Sequence, residues 1–240
     1  MYEKNYTVTS YESNNKLQLK LNCLFQWFTE ISWEHAKILG VGFEEMNNSK
    51  VFWVLIGVKV KINKLPKWQD KVTLQTAPTG INGLYFSREF ILIDEDKNVL
   101  VEADSKWLII DKNTLRTIKP TEDEYKNLKI KSKNLDIEFK RMHLQTGLTN
   151  IYKETVQYTD IDLHNHVNNA VYVRWIENIL NNSSYFLKSK IIIFSIQFLK
   201  EVMQNDNVLL CYSDIIDNKI FFEAIIENSD IHCIRAEIEL

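Results

Sequence analysis

The residues best suited to chemistry lie together between Asp160 and Asn169, in the run DIDLHNHVNN. This run holds two of the five histidines beside two aspartates and three asparagines. A helix is predicted to follow it, and a helix N-terminus presents unpaired backbone N–H groups and a partial positive charge. Such a terminus can polarise a carbonyl group or hold an oxyanion. One Asn or Asp would be explained as a helix cap, but this many polar residues predict a functional loop.

A metal site at this loop is the weaker interpretation. His164 and His166 could both ligate, but no third ligand follows at a diagnostic spacing. The three cysteines include no CxxC pair, so they indicate neither a zinc site nor a disulfide framework. We therefore expect no metal, and nothing in the sequence indicates a cofactor.

The composition argues against several other classes of protein. With 29 basic and 32 acidic residues, the chain has no overall attraction to nucleic acid or to an anionic membrane. Neither GxGxxG nor GxxxxGK[ST] occurs. The longest apolar run, residues 51–58, is too short to cross a bilayer. The polar N-terminus does not resemble a signal or transit peptide, so we expect a cytoplasmic protein.

The elements that must position the loop follow from hydrophobic periodicity, which predicts an α+β protein. Apolar residues recur at helical spacing over about 17–39, and Gly40 and Gly42 then end the helix. A second helix is predicted over about 167–182. Strands are predicted at about 4–9, 58–62, 71–77, 83–94, 99–111, 152–159, 191–200, 207–216, 219–227 and 231–239.

Both halves of the chain therefore show a strand, a helix and then four strands. Residues 58–76 align without a gap on residues 194–212, which places Asp70 opposite Asp206. This repeat predicts an antiparallel sheet wrapped around one helix, made twice, with a shared core. We predict a first unit over 1–120, a connector over 121–150 and a second unit over 151–240.

The loop and the helix after it match a known signature. They resemble the pattern D-x-N-x-H-V-N-N-x-x-Y-x-x-W of acyl-acyl-carrier-protein thioesterases, a family of plant plastid enzymes and bacterial relatives. His164 stands at the position of the pattern's first N, and the residues that match the other positions are Asp162, His166, Val167, Asn168, Asn169, Tyr172 and Trp175. The segments 65–72, 87–90, 105–108 and 198–202 also resemble motifs of the family. The resemblance implies two tandem hotdog units that share one extended sheet.

The resemblance also implies roles for individual residues. The family uses an Asp, an Asn and a His from the loop and a Glu from the strand that follows. Asp162, His166 and Glu201 match three of these positions, whereas His164 replaces the Asn. Older schemes gave the family a nucleophilic Cys after the Glu, and Val202 stands there. We expect Asp162, His164, His166 and Glu201 to be catalytic, with a water rather than a thiol attacking the thioester.

Binding residues are predicted in the same way. The family places its acyl-chain pocket in the first hotdog, so we expect Phe28 and Trp53 to contact substrate, along with Asn168 and Asn169. An acidic acyl carrier protein would meet a basic patch, because the whole chain carries a net charge of −3. The candidates for this patch are Lys126, Lys129, Lys131, Lys133, Lys140 and Arg141.

The predicted function is hydrolysis of fatty acyl-acyl-carrier protein to a free fatty acid. An acyl-CoA thioesterase of the same fold is one alternative. A hotdog module that binds acyl thioesters without cleaving them is another. The presence of Asp162, His166 and Glu201 argues against it, and the change of the family Asn to His164 leaves it open. Either a monomer or a homodimer is compatible with an internal pair of units.

Overall fold

A computed structural model describes residues 1–121, 125–128, 135–182 and 190–240 of the 240-residue chain. The chain divides into two units. The first comprises Met1–Lys20 and Gln26–Phe139, and the second comprises Leu21–Phe25 and Lys140–Leu240. The boundary at residue 139 lies inside the predicted connector, and the unit limits 1–120 and 151–240 remain predictions from sequence.

The first unit is an antiparallel sheet with two helices. Along the sheet the strands follow the order β1-β3-β4-β5-β2. The strands are β1 (Tyr2–Thr7), β2 (Val51–Ile62), β3 (Lys71–Asn82), β4 (Tyr85–Asp94) and β5 (Val99–Asp111), and the helices are α1 (Leu21–Ile38) and α2 (Phe43–Asn48). The first five residues of α1 belong to the second unit.

Helix α1 buries its apolar face, as its periodicity predicts. Phe28 stacks on Phe90 of β4, with 4.5 Å between the ring centroids. The helix ends where glycine was predicted to end it. Gly40 adopts a φ of 75°, and the Val41 N–H donates to the Ala36 carbonyl at 3.0 Å. This Schellman geometry needs a left-handed residue, which glycine supplies without strain.

Helix α2 was not predicted, because it has only six residues and no apolar repeat. A signal for it is nevertheless present. Gly42 precedes the helix, and Glu44 and Glu45 lie in its first turn, where acidic side chains favour a helix N-terminus. Met46 is buried in a cluster with Val51 and anchors the turn.

The second unit repeats the plan of the first. Its sheet follows the order β7-β10-β9-β8-β6, and one helix, α3 (Asn169–Asn182), packs with it. Trp175 of α3 is fully buried. The strands are β6 (Asn150–Thr155), β7 (Ile193–Phe198), β8 (Asn207–Tyr212), β9 (Lys219–Ile226) and β10 (His232–Glu239).

Hydrogen bonds confirm the aligned repeat. In the first unit, Asp70 Oδ2 accepts the Lys67 N–H at 2.8 Å, just before β3. In the second unit, Asp206 Oδ2 accepts the Met203 N–H at 2.9 Å, just before β8. The two predicted counterparts, Asp70 and Asp206, therefore close the same kind of turn in each unit.

The described part of the connector is held by buried polar groups of the sheets. In the first unit, Phe139 covers Gly57 so closely that a Cβ there would overlap its ring. The Phe139 N–H donates to Asp104 Oδ2 at 2.8 Å. In the second unit, the Met142 N–H donates to Gln197 Oε1 at 2.7 Å.

None of the helices in the described residues is long and apolar enough to span a membrane.

Candidate active site

The polar loop is a three-residue hairpin turn that begins at Asp162. The Asp162 N–H donates to the His166 carbonyl at 2.9 Å, and the Asn165 N–H donates to the Asp162 carbonyl at 3.0 Å. Asn165 adopts a φ of 64°, as the third residue of such a turn requires, and asparagine tolerates that conformation. The turn places His164 at its tip and His166 at its exit.

The Asp162 carboxylate helps to form this turn. Its Oδ1 accepts the His164 N–H at 2.8 Å, an Asx-turn geometry. Asp162 thus helps to form the turn through its Oδ1, and its catalytic role remains a prediction.

Buried Asp160 anchors the loop from the other side, a role that the sequence analysis missed. Its carboxylate accepts a hydrogen bond from Arg174 Nη2 at 2.7 Å and one from the Gln157 N–H at 3.0 Å. Its carbonyl accepts the Asn168 N–H at 2.9 Å. The spacing Gln157-x-x-Asp160 is a capping-box pattern, which was a signal for this anchor.

Glu201 lies just beyond β7, in a segment that is also held by its backbone. The N–H groups of Leu199 and Lys200 both donate to the Cys233 carbonyl, at 2.8 and 3.3 Å. The Val167 N–H then donates to the Val202 carbonyl at 2.9 Å. Because the bonded residues directly follow His166 and Glu201, this bond brings the two catalytic candidates together.

The two side chains face each other at short range. His166 Nε2 lies 3.7 Å from Glu201 Oε2, and the side chains are 28% and 45% exposed. That separation is too long for a direct hydrogen bond, but one water can lie about 2.8 Å from both atoms. The pair can therefore hold and deprotonate a water, which is the chemistry of a general base.

The start of α3 offers fewer free amides than the sequence analysis expected. Asn168 caps the helix, because its Oδ1 accepts the Ala170 N–H at 2.9 Å and its carbonyl accepts the Val171 N–H at 2.9 Å. Asn169 is the first residue of α3, and within the described parts of the chain no acceptor is found for its N–H. Substrate contact by Asn168 and Asn169 remains a prediction.

Tyr172 and Cys233 are two buried groups of the second unit that could in principle ionise. The Tyr172 ring is buried between Trp175 and Phe198, at centroid distances of 5.1 and 6.0 Å. Burial raises the pKa of Tyr172, and burial raises the pKa of the Cys233 thiol to about 12. Both groups therefore stay protonated at neutral pH.

The first unit contains the same kind of turn but lacks the His and Glu side chains. The Asn14 N–H donates to the Gln18 carbonyl at 2.8 Å, and Asn14 Oδ1 accepts the Lys16 N–H at 2.9 Å. The Leu19 N–H donates to the Pro66 carbonyl at 2.8 Å, as Val167 does to Val202.

Comparing the two turns shows which residues form the turn and which are candidates for catalysis. Asn14 performs with an amide oxygen the turn-forming role of Asp162. Gln18 occupies the place of His166, and Leu65 that of Glu201. The turn therefore occurs in both units, whereas the His–Glu pair occurs at these positions in the second unit alone.

The predicted pocket residues lie in the first unit. Trp53 lines a cavity of about 50 Å³, and its Nε1 donates to the Val41 carbonyl at 3.0 Å. Phe28 packs on Phe90 between α1 and the sheet. Substrate contact by Trp53 and Phe28 remains a prediction.

The basic candidates are only partly described. Lys126, Lys140 and Arg141 are exposed, and across the described ranges none of the three forms an ion pair. Lys129, Lys131 and Lys133 lie outside the described residues. No three His, Cys, Asp or Glu side chains in the described structure come together as a metal site.

Comparison with known proteins identifies the family. Residues 1–128 match the acyl-ACP thioesterase N-terminal domain, and residues 145–239 match the acyl-ACP thioesterase C-terminal domain. A crystal structure of an acyl-ACP thioesterase from Bacteroides thetaiotaomicron superposes with a TM-score of 0.88 at 21% identity, covering 99% of this chain and 96% of that one. The structure of the 12:0-ACP thioesterase from Umbellularia californica gives 0.81 at 18% identity, covering 99% and 96%.

Plant enzymes show the same relationship in sequence. A chloroplastic acyl-[acyl-carrier-protein] hydrolase of Cuphea viscosissima is 26% identical over 190 residues, covering 73% of this chain and 46% of that protein. The dodecanoyl-[acyl-carrier-protein] hydrolase of Umbellularia californica is 25% identical over 230 residues, covering 87% and 58%. The chain thus spans about half the length of the plant relatives it matches.

The fold is that of the double-hotdog thioesterases, as the sequence predicted. The chain belongs to the acyl-ACP thioesterase family.

The Asx turn at Asp162 can be tested directly. We expect Asp162→Ala to lower the free energy of unfolding by about 1 kcal/mol, because the hydrogen bond to the His164 N–H is lost. Asp162→Asn should keep wild-type stability, since Asn14 supplies the same bond in the first unit. Denaturant unfolding and amide exchange at His164 measure both variants. If Asn and Ala destabilise equally, the carboxylate charge rather than the turn matters.

Proposed function

We propose that the chain hydrolyses the thioester of fatty acyl-acyl-carrier protein and releases a free fatty acid. The observation that carries this proposal is the facing pair of His166 and Glu201, 3.7 Å apart in a member of a thioesterase family. The exposure of both side chains supports it, because a substrate can reach them.

In the proposed reaction, the Glu201 carboxylate takes a proton from a water that His166 helps to orient. The water oxygen attacks the thioester carbonyl carbon, and the carbonyl becomes an oxyanion. The oxyanion then reforms the carbonyl as the C–S bond breaks, and the proton that Glu201 took from the water passes by way of His166 to the leaving thiolate sulfur, which restores both side chains. A general base contributes about 10²–10⁴-fold to such a rate.

The oxyanion needs donors, and two groups are suited to that role. The Asn169 N–H at the start of α3 is one, and the His164 side chain at the tip of the turn is the other. One donor of this kind contributes about 10²–10³-fold. His164 then serves as a hydrogen-bonding side chain, the function that the family Asn can also fulfil.

Direct attack by water is supported by the residue after Glu201. Val202 is buried and its carbonyl is bonded to the Val167 N–H. No thiol is available at that position to form an acyl-enzyme, so the water must reach the carbonyl carbon itself.

The acyl chain is proposed to occupy the cavity of the first unit. Three tryptophans line it, and they offer a large apolar surface. These residues are Trp33, Trp53 and Trp107.

Removing the base tests the reaction. Glu201→Gln should lower kcat for acyl-carrier protein by at least about 10²-fold without lowering Tm, because the general base is lost while the amide keeps the shape. The matched control is Glu95→Gln in an exposed turn, which should keep full activity.

A substitution at His164, where the family has Asn, gives a second control. His164→Asn should stay active, since Asn also donates a hydrogen bond. A Glu201→Gln variant that hydrolyses within a few-fold of wild type would show that the base has been assigned to the wrong residue.

We propose that the exposed cations of the connector dock an acidic carrier protein. Lys140→Glu with Arg141→Glu should raise KM for acyl-carrier protein at low salt, and the effect should fade as salt screens the charges. The control pair Lys64→Glu with Lys97→Glu lies outside the connector and is equally exposed.

A short acyl thioester distinguishes a defect in carrier docking from a defect in hydrolysis. The connector variant should hydrolyse a short acyl thioester as the wild type does. If acyl-CoA is cleaved faster than acyl-carrier protein, the carrier assignment is wrong. If neither thioester is cleaved while acyl groups still bind, the chain is a binding module.

A further inference from the structure

The cavity of the first unit takes part of its wall from the connector. Most of its lining residues belong to α1 and to strands β2–β5, among them Trp53 of β2 and Trp107 of β5. Leu128 also lines it, but this residue lies in a short 3₁₀ helix, Lys126–Leu128, within the predicted connector. One side of the cavity is therefore closed by a segment outside the sheet and the long helix.

The segment 125–128 turns an apolar side toward the unit. The Leu128 N–H donates to the Tyr125 carbonyl at 2.9 Å, and residues three apart eclipse each other in such a 3₁₀ turn. Tyr125 and Leu128 are 9% and 4% exposed, whereas Lys126 between them is exposed. The Tyr125 N–H donates to the nearby Thr121 carbonyl at 3.3 Å, so both backbone bonds are local. Burial of two side chains therefore attaches the segment to the unit.

The aromatic walls of the cavity are fixed by their own contacts. Trp53 Nε1 donates to the Val41 carbonyl at 3.0 Å, and Trp107 Nε1 donates to Ser105 Oγ at 2.8 Å. The Phe86 ring meets the Trp53 ring edge-on, with 4.8 Å between the centroids. These side chains cannot turn aside without losing a hydrogen bond or a ring contact.

The cavity is small in relation to a fatty acyl chain. Its volume of about 50 Å³ has room for roughly three to five water-sized groups, at about 10–15 Å³ each. It can therefore take the end of a chain, and each further methylene must displace a wall. The Leu128 side chain is aliphatic and makes no hydrogen bond, so it is the wall whose size decides how much chain fits.

We propose that Leu128 sets the longest fatty acyl chain that this cavity accepts, by closing the cavity on the connector side. The ligand is a hydrocarbon chain, because Leu128 and the cavity tryptophans offer it an apolar surface. This inference rests on the proposed function, since it names a specificity-determining residue for the acyl chain of that thioester.

Binding of straight-chain fatty acids tests the limit without requiring hydrolysis. The fluorescence of the cavity tryptophans and calorimetry both report the Kd. Over acids of about eight to eighteen carbons, each added methylene should tighten binding by up to about fourfold until the cavity is full. Beyond that length the wild type should gain less than about twofold per methylene. The length at which the gain stops is the quantity to compare between variants.

Truncating the side chain should move this limit. Leu128→Ala should raise it by about two to three carbons, because the lost atoms leave space for that much chain. Leu128→Phe should lower it, since a larger side chain occupies the space. Met46→Ala is the matched control, because Met46 is buried in the same apolar cluster and is not among the described residues that line the cavity. It should lower Tm much as Leu128→Ala does and leave the limit unchanged.

Two results would overturn the inference. One is a folded Leu128→Ala protein with the wild-type limit, which would make Leu128 a structural contact only. The other is a limit that moves as far in Met46→Ala, which would show that loosening of the cluster sets the length. If Leu128→Ala does not fold, the milder Leu128→Val decides, because it should raise the limit by about one carbon.

Hydrolysis of acyl-carrier protein over the same chain lengths separates this inference from the proposed function. The kcat/KM should show the same limit and the same shift in Leu128→Ala. If the wild type hydrolyses these thioesters and the limit stays in place in the variant, only the inference fails. If the limit moves in binding and no acyl-carrier protein is hydrolysed at any length, only the thioesterase assignment fails.

Discussion

The proposed chemistry depends on one backbone hydrogen bond, from the Val167 N–H to the Val202 carbonyl. The two bonded residues are buried, so water does not compete for either group. Each directly follows a catalytic candidate, and the bond therefore fixes His166 and Glu201 side by side although 34 residues separate them in the chain. Asp160 and the turn at Asp162 hold one end of this bond, and the Cys233 carbonyl holds the segment at the other.

Duplication explains how such a site arises. The first unit has the same turn, with Asn14 in the place of Asp162 and the bond from Leu19 to Pro66 in the place of that from Val167 to Val202. The turn geometry is therefore common to both units. The proposed hydrolysis depends on a His and a Glu that only the second unit has at these positions.

Much of this could be predicted from sequence because it is periodic or local. The sequence predicted a strand over about 99–111, and β5 has these bounds. The pairing of His166 with Glu201 came from the resemblance, since neither periodicity nor spacing links residues so far apart. The cap at Asn168 is local, because its Oδ1 accepts the Ala170 N–H, and sequence can predict such a cap. Sequence could not show that Asp160 would be buried against Arg174, because that depends on which neighbours the tertiary fold supplies.

The central claim is that His166 and Glu201 act on the same water, and a double-mutant cycle tests it most directly. The kcat/KM for acyl-carrier protein is measured for His166→Gln, Glu201→Gln and the double variant, with glutamine chosen because the first unit carries Gln18 at the His166 position. Two groups that act as a unit lose most of their effect together. The account predicts a double variant no more than a few-fold slower than the slower single variant. Losses that multiply would show that the two residues act independently and would contradict it.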